Sequence, residues 1–240
     1  MVVRHHQIDF ASGALVFPGG KVDDGDFGAE VAARCDGASS DPTMRALQVA
    51  AIREAFEECG VLLARKEGSP ALIGVDTLAP LERFRAKLVD GSVSLAAFLS
   101  DHQLRLACDT LVHFAHWVTP EMMPKRFDTH FFLADAPRDQ IALHDGYESV
   151  DSVWIRPDDA LAGARNGRYT VIFPTLRNLE KLGQSASPTA AMSLAKESQV
   201  VSVTPWTERR TDGTYLCIPK DAGYDHCEEK MPERRQSAPG

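Results

Sequence analysis

The chain has no apolar run approaching the roughly 18 residues that a membrane-spanning helix needs, so no membrane association is expected. It has no Cys-x-x-Cys pair. Its five cysteines, Cys35, Cys59, Cys108, Cys217 and Cys227, are odd in number and widely spaced, which fits a reduced, cytoplasmic compartment. It lacks a basic excess: 26 Lys and Arg against 34 Asp and Glu leave a net charge of −8, whereas a nucleic-acid surface wants a basic face. No signal-peptide pattern opens it, and the final Ser-Ala-Pro-Gly carries no peroxisomal address. A small anionic substrate stays open, because a bound cation inverts the local field. What remains is ordinary for a globular enzyme: 240 residues, 44% hydrophobic and 25% charged, can bury a sizeable core in one domain with extensions.

The informative stretch is Arg53-Glu54-Ala55-Phe56-Glu57-Glu58-Cys59-Gly60-Val61. Positions three and four apart on a helix are neighbours, so Glu54, Glu57 and Glu58 project to one side. Three like charges that close repel unless a cation sits between them, and an oxygen-preferring divalent ion, Mg²⁺ or Mn²⁺, suits the cluster. The bland reading of a Glu-Glu pair is a solvated acidic face. Upstream, the apolar Ala14-Leu15-Val16-Phe17 runs into Pro18-Gly19-Gly20-Lys21-Val22-Asp23-Asp24-Gly25-Asp26. Paired glycines there allow positive φ and close approach to a ligand.

Together these residues resemble the Nudix hydrolases, whose signature sets a Gly, five residues, an acidic residue, seven residues and then Arg-Glu-U-x-Glu-Glu-x-Gly-U, with U apolar. Gly20 and Asp26 match the first half, Asp26 replacing the usual Glu, and Arg53 to Val61 match the second. Between them Arg34 is followed by Cys35 rather than Glu, and the Arg-Glu pair comes 19 residues later, at 53 against 34. The inserted Cys35-Asp36-Gly37-Ala38-Ser39-Ser40-Asp41-Pro42 is loop chemistry. A box split here is similar to one branch of the family, which includes a mammalian peroxisomal coenzyme A diphosphatase and bacterial relatives. That branch usually carries a further strand ahead of a segment such as Met1-Val2-Val3-Arg4.

The resemblance implies an α+β fold (an α/β/α sandwich) with a mixed β-sheet, a helical insertion and a C-terminal β-hairpin extension. We divide the chain into a Nudix domain at 1–182 and an extension at 183–240. Asp41 as N-cap and Pro42 at N1 should start the acidic helix, with Met44, Leu47, Ala51, Ile52, Ala55 and Phe56 as its buried stripe and Gly60 as its stop. Residues 19–40 read as loop. Residues 76–107 read as two helices joined at Asp90-Gly91, and packing is the preferred role for them over a substrate lid. Residues 111–120 and 125–134 read as two strands flanking a loop, and His113, His116 and His130 as ordinary strand residues. Residues 170–182 read as the last core helix, 184–199 as helix or linker, Thr211-Asp212-Gly213-Thr214 as a hairpin turn, and the polar tail from Asp221 as loosely ordered.

Hydrolysis of a diphosphate needs its charge neutralised and a water directed at phosphorus. Glu57 and Glu58 are the expected metal ligands, with Glu54 sharing the metal or acting as base and Arg53 bracing the carboxylates or the catalytic loop. In similar proteins the carbonyl of Gly20 also binds metal. Asp26 is shorter than Glu, which leaves its role open. Glu148, before the strand bearing Trp154, is a further carboxylate for metal or base duty, and Tyr147 or Trp154 could stack on a base. Arg126, with Lys125, could hold a phosphate, or Arg126 could pair with Asp128 or Glu121 and order its loop. The expected partner is a small-molecule nucleoside diphosphate derivative, with coenzyme A or an acyl derivative first. ADP-ribose, NADH or a nucleotide sugar stays open because Asp9 stands where the coenzyme A motif has Arg, and only Gly13 and Phe17-Pro18-Gly19-Gly20 agree. A binding module without catalysis would be expected to lose a box Glu, and none is lost. Monomer and homodimer both remain open.

Overall fold

The computed structural model describes residues 1–4, 13–140 and 149–231. The strands are β1 (Val2–Arg4), β2 (Leu15–Val16), β3 (Ala64–Lys66), β4 (Leu104–Leu106), β5 (Val112–Val118), β6 (Asp128–Leu133), β7 (Ser149–Ser152), β8 (Ser202–Val203), β9 (Trp206–Arg210), β10 (Gly213–Cys217) and β11 (Glu228–Lys230). The helices are α1 (Ala29–Ala32), α2 (Pro42–Cys59), α3 (Val75–Leu78), α4 (Arg85–Val89), α5 (Leu95–Asp101), α6 (Pro157–Arg165), α7 (Phe173–Gly183) and α8 (Pro188–Glu197). The architecture is α+β, with strand orders β2-β1-β7, β3-β4, β6-β5-β8 and β11-β10-β9. The β6-β5-β8 sheet is mixed, since β5 pairs antiparallel with β6 and parallel with β8. No helix among the described residues is long and apolar enough to cross a membrane.

Helix α2 starts and stops where its sequence directs. Asp41 Oδ1 accepts from the Thr43 and Met44 N–H groups at 2.7 and 3.3 Å, and Gly60 ends the helix at φ 69°, a left-handed conformation that suits glycine. The burial differs from the expected stripe. Met44, Leu47, Ala51 and Ala55 are only half-buried, while Val49, Ile52 and Phe56 fill the core and the acidic side is covered as well. A helix enclosed on several sides has no single apolar face to read.

The region between α2 and β5 is a helical layer plus one strand. Its first helix is broken into α3, a 3₁₀ segment at Ala79–Phe84 and α4; Gly91, at φ 71°, makes the turn into α5. Leu104–Leu106, expected as helix, is instead β4 paired with β3. Phe56, Phe84 and Phe98 join across this layer, with ring centroids 5.7 Å apart in both pairs. The expected loop 19–40 also has local order, a 3₁₀ turn at Asp24–Phe27 followed by α1.

The segment inserted into the box is anchored on β4. Asp36 donates its N–H to the Leu106 carbonyl at 2.8 Å, Leu106 returns the bond to the Arg34 carbonyl at 2.8 Å, and Arg105 Nε reaches Asp36 at 2.6 Å. The extra residues are drawn to the side, so the two halves of the box meet.

Past 183 the chain packs back onto the core. Val203 of β8 lies beside Trp117 of β5, and Ala195, Ile218, Ala222 and Tyr224 share a cluster with Val112, Phe114 and Trp117. The hairpin turn falls at Thr211-Asp212, with Arg210 opposite Gly213. From Asp221 to Met231 the chain is more ordered than its polarity suggests: Tyr224 is buried and β11 pairs with β10. Strand β1 is the middle strand of its sheet.

Candidate active site

The strand, loop and helix from residue 15 to 59 fold around one guanidinium. Arg53, on α2, donates from Nε to Asp26 Oδ1 and from Nη2 to Asp26 Oδ2, both at 3.0 Å. Its Nη1 reaches Glu54 Oε1 at 2.9 Å and Glu57 Oε2 at 3.0 Å, and Nη2 also donates to the Lys21 carbonyl at 2.8 Å. Asp26 is 2% exposed and takes a further bond from the Asp23 N–H at 2.9 Å. Its short side chain suffices because the 3₁₀ turn brings it under α2.

The glycine pair closes the other side. Gly19, at φ 153°, donates its N–H to Glu58 Oε2 at 2.9 Å. Gly20 lies against the Glu54 carboxylate so closely that an added Cβ would overlap it. These contacts explain the paired glycines: one needs the backbone conformation and the other needs the space.

Burial and charge oppose each other here. Desolvation alone would lower the pKa of Arg53, but hydrogen bonding to Asp26 and the charges of Asp26, Glu54 and Glu57 more than offset it and keep the guanidinium charged. Burial raises Glu57, Arg53 pulls it down and Glu54 raises it again, which together hold it at about 7. Four carboxylates, Asp23, Asp26, Glu54 and Glu57, thus surround a single cation, and Glu57 bears the imbalance.

This arrangement suits a hard divalent ion. The donors are all oxygens, a glycine cradle borders them, and a second positive charge would bring Glu57 back toward its ordinary value. Glu57 is held through Oε2 by Arg53 and Glu58 through Oε2 by the Gly19 N–H.

Lys125 and Arg126 are exposed on the loop between β5 and β6; Arg126 Nε donates to the Thr119 carbonyl at 3.3 Å, and Lys125 sits 5.5 Å from the Phe127 ring centroid. Among the described residues no ion pair joins Arg126 to Asp128 or Glu121. Trp154 is 65% exposed, so it is not core. Tyr147 and Glu148 lie outside the described residues.

One cluster escaped the sequence reading. Among the described residues, His116, Asp128 and His130 are the group whose potential metal-ligating atoms all lie within 4.8 Å of one another. Strand alternation does not put His113 and His116 on one side, and a register shift in β5 between His113 and Ala115 does. The spacing of Asp128 and His130, two apart on β6, was the available signal. Burial first, and then the neighbouring His116 and His113, push His130 down to about 4.

An α+β fold carrying a glycine loop against a buried, metal-competent acidic helix defines a class of phosphate-handling domain. A family model described as the NUDT19 Nudix domain matches residues 32–182, and the chain belongs to the Nudix family. The matched range begins beyond Gly20 and Asp26, so their part in the site is seen from the contacts with Glu54 and Arg53. Nudix hydrolase 7 of Caenorhabditis elegans is 26% identical over 187 residues, covering 77% of this chain and 55% of that protein, so the chain spans about half the length of this curated relative. The crystal structure of a NUDIX hydrolase from Alicyclobacillus acidocaldarius superposes with a TM-score of 0.65 at 30% identity, covering 83% of this chain and 87% of that one.

Proposed function

We propose that the protein hydrolyses a diphosphate linkage in a nucleoside-diphosphate-X substrate with Mg²⁺ or Mn²⁺, coenzyme A or an acyl-coenzyme A being the first choice. The observation that carries this reading is the seating of Gly19 and Gly20 on Glu58 and Glu54, which gives a catalytic loop and an acidic helix one shared surface. The split box and the NUDT19 domain match favour the coenzyme A branch. A cytoplasmic setting accords with five free cysteines.

Glu57, Glu58, Glu54 and the Gly20 carbonyl are the groups that would hold the cation. When bound, it neutralises the diphosphate and lowers the cost of charge built up at phosphorus. Arg53 fixes the rotamers of Glu54 and Glu57 and ties them to Asp26. Glu54 is the most open of the three glutamates, with a 13% exposed side chain, and takes the proton of the water whose oxygen attacks phosphorus. The P–O bond of the linkage breaks, and two phosphate-bearing products leave. Glu148 is the second candidate for this base. Lys125 and Arg126 offer positive charge to the outer part of the substrate.

The test is turnover of coenzyme A, acyl-coenzyme A, ADP-ribose, NADH and nucleotide sugars, with and without metal, by the wild type and Glu57→Gln. Metal-dependent cleavage that falls by about 100-fold or more in the variant supports the reading. Preference for ADP-ribose, NADH or a nucleotide sugar would change X. No turnover on any member by folded protein would favour a nucleotide-binding module.

A further inference from the structure

The β6-β5-β8 sheet carries a second group of ligand atoms that shares no residue with the acidic helix. His116 lies opposite His130 in the β5–β6 register and opposite Ser202 in the β5–β8 register, while Asp128 is two residues from His130. The two imidazoles are stacked, with centroids 4.0 Å apart and planes inclined by 14°. Each turns one nitrogen to a sheet neighbour: His116 Nδ1 is 2.6 Å from Ser202 Oγ, and His130 Nδ1 is 3.0 Å from His113 Nε2. Each turns the other nitrogen to the same oxygen. His116 Nε2 is 2.5 Å and His130 Nε2 3.6 Å from Asp128 Oδ1.

Either tautomer fits these contacts, since Ser202 Oγ can accept from or donate to His116 Nδ1 and an imidazole Nε2–H can donate to Asp128. In the tautomer with Nδ1–H on both rings, the two Nε2 lone pairs and the Asp128 carboxylate turn to one point, the arrangement a shared cation requires. We propose that His116, His130 and Asp128 form a binding site for a borderline divalent transition ion, Zn²⁺ before Mg²⁺, with water completing the coordination on the exposed side. Two imidazoles and one carboxylate favour zinc over a hard ion, and partners on the second ring nitrogen, as Ser202 and His113 are here, are the usual support of such sites.

The three ligand atoms lie within 4.8 Å of one another, and the two His–Asp128 separations can be set against zinc geometry. Donors at 2.0–2.2 Å from a tetrahedral zinc lie roughly 3.3–3.5 Å apart. The His130–Asp128 separation of 3.6 Å meets this, and the His116–Asp128 pair must open by about 1 Å. Asp128 has a 67% exposed side chain at the first position of β6, so it can swing outward without disturbing the core. An ion there would clamp β5 to β6 at the mouth of the loop that carries Lys125 and Arg126.

The experiment uses metal-stripped full chain, Zn²⁺ as the probe and no substrate. Equilibrium dialysis at micromolar Zn²⁺ followed by elemental analysis should find one zinc per chain in the wild type and in Glu57→Gln. Asp128→Asn, His116→Gln and His130→Gln should each weaken binding on the order of 100-fold, and Ser202→Ala about 10-fold. Co²⁺ in place of zinc should give visible absorption of four-coordinate intensity in the wild type that Asp128→Asn abolishes. Asp128 is the decisive position, because its exposure lets the variant fold, as thermal unfolding would verify. Failure of the wild type to retain zinc overturns the site. So does zinc that survives Asp128→Asn and is lost in Glu57→Gln, which would assign the ion to the acidic helix.

Discussion

Arg53 grips Asp26 through two parallel hydrogen bonds, Nε to Oδ1 and Nη2 to Oδ2, both 3.0 Å long. Neither side chain has an equivalent partner in water, since Asp26 is 2% and Arg53 7% exposed. The pair joins the glycine loop to the acidic helix while the inserted residues between them are held on β4. A fork of this geometry fixes direction as well as distance, and it aims the remaining Nη1 at Glu54 and Glu57. The aspartate therefore takes up the bracing contact although it is shorter than the glutamate of the signature.

Replacing Asp26 by Asn should be costly. The amide keeps the shape but leaves a buried guanidinium facing a neutral group, and breaking a buried pair this way costs about 3 kcal/mol or more. Urea unfolding should show that loss, and turnover should fall with it because Arg53 no longer holds Glu54 and Glu57 in place. Wild-type stability in Asp26→Asn would mean that Glu54 and Glu57 alone satisfy Arg53.

Gly20→Ala should separate activity from stability. A Cβ at residue 20 overlaps the Glu54 carboxylate, the movable end of its side chain, so the fold can relieve the contact by rotating Glu54 off Arg53. The expected result is a stability change within about 1 kcal/mol and a rate loss of about 100-fold, the usual penalty for displacing a reacting group by an ångström. Steady-state kinetics beside a thermal melt checks both halves. Unchanged turnover would show that the Glu54 position is not critical.

The carboxylate face of α2 and its two ends were legible because they rest on spacing of 3 and 4, an Asp-Pro cap and a terminal glycine. The apolar stripe was only partly legible: α2 is enclosed by the loop, the helical layer and β6, so burial follows several neighbours rather than one period. Leu104–Leu106 is three residues long and continues the apolar rhythm of the helices before it, leaving no local sign of β4. The histidine cluster depends on a register shift in β5 and on Ser202, 86 residues from His116, and neither is a local property of the sequence.

Stability in the absence of divalent ions should fall as pH rises. Glu57 is raised from 4.5 to about 7 in the folded chain, so between these values the folded state keeps a proton that the unfolded chain has released. The associated stability is complete below about pH 4.5 and lost through pH 7, at up to about 1.4 kcal/mol per pH unit. Thermal unfolding in chelator at pH 5 and pH 8 should show the drop, and Glu57→Gln should flatten it. Millimolar Mg²⁺ or Mn²⁺ should restore stability at pH 8, since a cation replaces the proton as counter-charge. An equal slope in Glu57→Gln would place the titration on another group.

The C-terminal segment is held to the core by a buried polar chain that can be cut at one atom. Trp117 Nε1 donates to Tyr224 Oη at 2.8 Å, and Tyr224 donates in turn to Asn178 Oδ1 at 2.8 Å, linking β5, the tail and α7. Tyr224→Phe removes only the hydroxyl but orphans an indole N–H and an amide oxygen, so about 2 kcal/mol should be lost. The contrasting Tyr215→Phe deletes a bond to exposed Asp212 and should stay within about 0.5 kcal/mol of wild type. Both values come from chemical denaturation monitored by Trp fluorescence. If Tyr224→Phe unfolds at the wild-type midpoint, packing alone secures the tail, and the polar chain contributes orientation rather than stability.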